Sequence, residues 1–381
     1  MSYILNISTA VPEYRIEREE LMDFYRKAFA SESPRFFQKI NFLEKKTNIA
    51  TRYSCIPDYQ GKESELYTDG NYEQPLEKRM ELYKDKIIPL SCKAVDGILL
   101  EAGISSREIT HLLTVSCTGM FAPGIEFLIA KKYGLEHTEK SALNFLGCYA
   151  ALKAMKQAHY ITESNPQAIV LVVCAELCSL HFHPSVSDEE MIANLLFADG
   201  AAAMLLCGEK NKHAKDKLVL KIDGVGSAFF PDTADLMTWQ LSSSAFRMHL
   251  SQEVVRVIKE QMGAAAKDFL ANTKTDYWAI HPGGVKIVEA ARESLGLKET
   301  DTTDALQVLK EYGNMSSPTV LFVLKRIFDR IRQTDDDSKS RKIFSCAFGP
   351  GLNMEMVRLS SVNTRDVNKF NYTTSRHAVQ V

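Results

Sequence analysis

Between residues 87 and 177, apolar runs alternate with segments whose apolar positions recur every three or four residues. The spacing predicts helices over 87–105, 123–135 and 148–162, and strands over 111–117, 141–147 and 167–177. Pro123 opens the second helix, in the first turn where proline is best tolerated. Strands that are apolar throughout are buried on both faces. The alternation therefore predicts an α/β domain with helices covering a sheet.

The pattern returns after residue 200. Residues 201–208 and 218–230 alternate like antiparallel strands, and 251–271, 284–297 and 316–333 read as helices. A strand over 277–284 ends in a turn, and 342–362 reads as a hairpin around Gly-Pro-Gly. Residues 334–342 read as a charged loop, and the polar tail after 362 is expected to fray. The first 90 residues read as helical and irregular, with a helix over 19–30 and a surface loop over 58–75. The matching content of the two halves suggests a duplication, although no residue-level repeat is visible. The division expected is 1–215, 216–362 and a flexible tail over 363–381.

Composition narrows the class. With 45% hydrophobic and 25% charged residues, the chain has the make-up of a globular protein with a large core. A net charge of −2 gives no reason to expect a nucleic-acid or anionic-membrane partner. The longest apolar run, 168–177, is half a membrane span. The start of the chain has no basic leader, so a cytoplasmic protein without integral membrane association is expected. Eight cysteines are scattered without paired C-x-x-C spacing, so a zinc site has no support, and most read as small core residues.

Three residues sit where chemistry would put them. Cys148, behind Gly147, falls at a strand-to-helix corner, where unpaired N–H groups and the helix dipole favour a thiolate. His281, in "AIHPGG", ends an apolar strand, the place where ligands meet sheets in α/β proteins; an imidazole is the usual partner of a nucleophilic thiol. Asn314, in "EYGNMSS", follows a glycine before a helix, and its amide can donate to a developing oxyanion without changing protonation state. Plainer readings exist for each: a packed core cysteine, a satisfied core histidine and a helix cap.

The order and spacing of "GCYAA", "LLFADGAAA", "IHPGG", "EYGNMSS" and "FGPGL" resemble the type III polyketide synthases, the chalcone synthase-like enzymes of the thiolase superfamily. The resemblance runs over roughly 1–362. It implies a five-layered αβαβα thiolase fold, built from two similar halves, and a homodimer. It also implies a Cys148–His281–Asn314 triad with no metal or organic cofactor, acting on coenzyme A thioesters. An acyl-CoA starter would load on Cys148 and grow by decarboxylative condensation with malonyl-CoA, then close to a pyrone or a resorcinol- or phloroglucinol-type product.

By the same resemblance, Phe197 is the gatekeeper between the CoA tunnel and the acyl cavity. Lys39 and Lys46 would meet CoA phosphates; Phe42 stands where an arginine is expected, and Lys286 is a candidate substitute. Cavity positions depart from the plant pattern: Cys117, Cys178 and His181 replace threonines, Trp239 replaces glycine and Met248 replaces phenylalanine, whereas Ser316 is retained. An indole in a glycine site implies a smaller product. Ala122 occupies the position that reaches the partner's cavity in plant dimers. Two alternatives stay open: a fatty-acid-type ketoacyl synthase using acyl-carrier protein, and a non-catalytic thiolase-fold acyl-CoA binder.

Overall fold

The computed structural model describes residues 1–270, 273–334 and 339–365; from 366 onward the expected tail lies outside the described residues. In chain order the first half runs β1 (Ser2–Ala10), β2 (Tyr14–Glu17), α1 (Arg18–Ala28), α2 (Pro34–Thr47), β3 (Thr51–Ser54), α3 (Leu76–Ala102), β4 (His111–Ser116), α4 (Ile125–Tyr133), β5 (Glu139–Asn144), α5 (Ala150–Ser164), β6 (Ile169–Leu177), α6 (Asp188–Leu196) and β7 (Asp199–Gly208). The second half runs β8 (Leu218–Phe229), β9 (Met237–Leu241), β10 (Phe246–Leu250), α7 (Glu253–Leu270), β11 (Tyr277–Ile280), α8 (Val285–Ser294), α9 (Thr303–Tyr312), α10 (Thr319–Gln333), β12 (Lys342–Gly349) and β13 (Asn353–Asn363).

The duplication shows in the pairing. β4 runs parallel to β6, which is antiparallel to β7, which is antiparallel to β1. In the second half β11, β12, β13 and β8 repeat that order and those senses. β5 is added beyond β4 and, among the described residues, has no counterpart. A short antiparallel contact, Tyr3 with Lys221 and Ile4 with Leu220, joins the halves, so nine strands are continuous among the described residues.

α5 and α10 occupy equivalent places, each leading into the strand that starts the antiparallel part, β6 or β12. Both lie between the two sheet halves: α5 packs on β4, β6, β7 and β13, and α10 packs on β1, β11 and β12. Their apolar faces, including Ala150, Met155, Leu324 and Phe328, build the central core. α3 and α4 cover one outer face and α7 and α8 the other. This is the five-layered αβαβα arrangement. Its consequence for function is geometric, because the loops before α5 and before α10 emerge in the same region.

Some expectations need correction. β1 falls in a region read as helical and irregular, yet it is the strand through which the halves join. Its Asn6 and Ser8 hide the apolar character: they are buried with partners, Asn6 donating to Glu101 and Ser8 to the Ala94 carbonyl. α3 begins eleven residues before the predicted start and ends at Gly103, whose φ of 64° is left-handed. Pro123 lies before α4, which Gly124 caps. No helix among the described residues is long and apolar enough to cross a membrane.

Candidate active site

Cys148 lies in the turn between β5 and α5, two residues before the helix begins. Gly147 has φ 81°, and an added Cβ there would run into the ring of Pro350 in the β12–β13 turn. Only glycine allows both the left-handed turn and the close approach. His281 follows β11, and its N–H donates to the Cys346 carbonyl at 2.8 Å, which extends the parallel pairing by one residue. Asn314 follows α9 and is fixed by its backbone: its N–H donates to Leu196 O and its carbonyl accepts from Ala198 N–H, both at 2.9 Å.

Cys148 and Asn314 are joined through Ser316, and His281 lies beside Gly283, which bonds the Asn314 amide. The Cys148 thiol donates to Ser316 Oγ at 3.6 Å. Asn314 Oδ1 accepts from the Ser316 N–H at 2.9 Å, while Nδ2 donates to the Gly283 carbonyl at 3.2 Å. A backbone N–H can only donate, so the Ser316 contact fixes which amide atom is oxygen. A Cβ built on Gly283 would lie 3.7 Å from His281 Nε2, so the imidazole and the amide meet at the same glycine. His281 is buried, and neither ring nitrogen has a hydrogen-bond partner among the described residues. Buried polar atoms are seldom left so, and such a pair is suited to a ligand that supplies the missing bonds.

Electrostatics correct one expectation. The helix start was expected to favour a standing thiolate. Burial instead pushes the Cys148 thiol up to about 12, the neighbouring Ser316 and Asn314 side chains pulling the other way and the Glu176 carboxylate adding to the rise. That rise corresponds to about 4 kcal/mol against the thiolate. Burial also pushes His281 down to about 3. Desolvation thus favours neutral thiol and neutral imidazole.

The cavity beside the sulfur holds about 20 Å³, room for roughly one water, and is lined by Cys117, Cys178, Phe197, Trp239, Met248 and Ser316, among others. Trp239 on β9 faces Met248 on β10 and donates its indole N–H to the Cys117 carbonyl at 2.7 Å. His181 accepts from Phe246 N–H at Nδ1, so its Nε2 carries the proton that it donates to Thr118 O at 2.7 Å. It stacks on Phe246 and meets Trp239 edge-on. Burial pushes it down to about 3, and it is a satisfied, neutral wall residue. Half-buried Phe197, at the end of α6, lines this pocket and a second one of about 50 Å³, as do Cys178, Trp239 and Met248; His181 lines the second.

The two lysines are elsewhere. Lys39 is exposed on α2 and ion-paired with Asp188 on α6, and Lys46 lies 5.2 Å over the ring of exposed Phe42. Lys286 is exposed on the first turn of α8. Ala122 is exposed in the loop before α4. Glu176 escaped the sequence reading. Its carboxylate is fully buried and accepts from Cys117 N–H, Thr118 Oγ1 and Ser317 Oγ at 2.8, 2.8 and 2.6 Å, tying the cavity wall to the start of α10. An acid inside the apolar run 168–177 was the available signal.

Residues 1–210 match the N-terminal domain and 222–363 the C-terminal domain of the chalcone and stilbene synthases. A Bacillus subtilis (strain 168) protein named as a chalcone synthase is 29% identical, over 94% of this chain and 99% of that one. Type III polyketide synthase A of Arabidopsis thaliana is 25% identical, over 95% and 93%. The crystal structure of PKS-I from the brown alga Ectocarpus siliculosus superposes with a TM-score of 0.87 at 30% identity, over 95% and 98%. The chain belongs to the chalcone and stilbene synthase family. It is a type III polyketide synthase of thiolase fold, an acyltransferase working on CoA thioesters.

If burial holds the thiol neutral, iodoacetamide labelling of Cys148, mapped by peptide mass, rises with pH through and beyond 9, the ordinary thiol value. At neutral pH, His281→Ala slows it at least about tenfold. A rate that levels off below about pH 7 would indicate a standing thiolate.

Proposed function

We propose that Cys148 takes the starter acyl group, with His281 and Asn314 serving both loading and extension. The Cys148 proton passes to His281 as sulfur attacks the acyl-CoA carbonyl. The tetrahedral adduct collapses to a Cys148 thioester, and the CoA thiol leaves with the proton. Malonyl-CoA then sets its thioester carbonyl oxygen between His281 and Asn314. Its carboxylate leaves as CO₂, and the electron pair of the broken C–C bond becomes an enolate held by the two N–H donors. The enolate carbon attacks the Cys148 thioester, lengthening the chain by two carbons and releasing the thiolate for another cycle. Confining both partners makes the condensation effectively unimolecular.

The observations that carry this reading are a thiol and an amide of fixed orientation joined through Ser316, and an imidazole beside the glycine whose carbonyl accepts from that amide, both ring nitrogens lacking a partner among the described residues. None of these steps calls on a metal or an organic cofactor.

The cavity favours a short product. Trp239 is pinned by its hydrogen bond across the pocket, and about 20 Å³ beside the sulfur admits an acyl group only after side chains move. We read the product as a small pyrone or a single-ring resorcinol or phloroglucinol type. The homodimer we propose has support at one sheet edge. β5 has a single neighbour, β4, and is mostly exposed, and exposed Met120 and Phe127 lie in the adjoining loop and helix.

Incubation with malonyl-CoA and short, long and aromatic acyl-CoAs, products identified by mass, should give chains extended by two-carbon units without carrier protein. Cys148→Ala should abolish extension and leave CO₂ release from malonyl-CoA measurable. Asn314→Ala should lower CO₂ release about 100-fold or more. Retained condensation in Cys148→Ala would overturn the assignment. Trp239→Gly should shift products toward longer chains or bulkier starters, and an unchanged product profile would remove Trp239 as the limit on size.

A further inference from the structure

We propose that Arg52 is a positioning residue that clamps residues 195–198, and through them sets both the Phe197 side chain and Asn314. Arg52 lies on β3 and is buried. Among the described residues it forms no ion pair with a carboxylate; buried Glu44 pairs with Arg18 instead. Its guanidinium goes to two main-chain carbonyls at the end of α6, Leu195 O at 2.7 Å and Phe197 O at 3.1 Å. A helix C-terminus is the negative end of the dipole, and a forked donor can span two carbonyls that a point charge cannot.

A helix cap alone would account for those two bonds. The carbonyl between them gives the contact its wider meaning. Leu196 O accepts from Asn314 N–H, and Ala198 N–H donates to Asn314 O. Phe197 and Asn314 thereby form a parallel bridge, with the carbonyls on either side of Leu196 held by Arg52. Gly313 packs into the same place: a Cβ there would meet Ala198 Cβ and Leu196 O at 3.2 Å and Arg52 Cβ at 3.7 Å. β3 is also tied to the end of α9 by Ala50 N–H to Lys310 O and Thr51 Oγ1 to Glu311 O. One buried cation therefore fixes the segment carrying Phe197, which lines both pockets, and that segment fixes the backbone that aims the Asn314 amide.

The inference rests on the reading of Phe197 and Asn314 given above, and its test has one readout independent of turnover. Arg52→Met keeps length and burial while removing the fork; Arg52→Lys keeps the charge. The first measurement is the labelling rate of Cys148 by a bulky maleimide relative to iodoacetamide, mapped by peptide mass. In Arg52→Met that ratio is expected to rise at least about fivefold as Phe197 loosens, while kcat for malonyl-CoA decarboxylation falls at least about tenfold with KM changed less than about threefold. Arg52→Lys should fall between wild type and Arg52→Met, and serves alone if the methionine variant does not fold. A labelling ratio and a kcat per folded molecule both equal to wild type in either variant would overturn the proposal and leave Arg52 a stabilising cap. A changed labelling ratio in a protein whose wild type releases no CO₂ would support the clamp and refute the polyketide mechanism instead.

Discussion

The site depends on one constraint, the pair of main-chain hydrogen bonds between Asn314 and residues 196 and 198. Asn314 belongs to the second half of the duplicated fold and residues 196 and 198 to the first. The bonds bring the start of α10 against the end of α6, and α5, the counterpart of α10, delivers Cys148 from the other side. The segments just before two equivalent helices, α5 and α10, thus contribute the thiol and the amide. His281 completes the group from the end of β11, where the parallel strand stops and the chain can turn a side chain inward.

Burial dominates the chemistry that follows. Desolvation pushes Cys148 up and His281 down, so each group is disfavoured in its charged form. A proton passed directly between them makes both charges together, and they attract in a medium that screens them weakly. The same dryness makes an enolate oxygen costly unless donors are already in place. Asn314 meets that condition because the Ser316 N–H holds its oxygen, which leaves its nitrogen directed outward from that contact. Trp239 and Met248 both line the small chamber beside the sulfur.

Much of this was legible in the sequence because it is locally encoded. A glycine before Cys148, a His-Pro-Gly-Gly turn after a strand and a Gly-Asn pair before a helix are short-range patterns, and their order along the chain carried the family resemblance. The repeated alternation of strands and helices gave the class and hinted at duplication. Trp239 was read as filling the cavity, and it does line the pocket beside the sulfur. Long-range satisfaction was hidden. β1 passed for irregular chain because the partners of Asn6 and Ser8 lie about ninety residues away. Glu176 and Arg52 look like ordinary charged residues until their buried partners are known. The ion pair that Lys39 makes with Asp188 likewise joins two helices 149 positions apart.

The most direct test of the account is where an acyl group goes. Intact-protein mass spectrometry after brief exposure to a short acyl-CoA, followed by peptide mapping, should find one acyl adduct per chain, on Cys148. It should be absent when position 148 is alanine. An adduct on Cys117 or Cys178, the other thiols lining the pocket, or none at any acyl chain length, would contradict it.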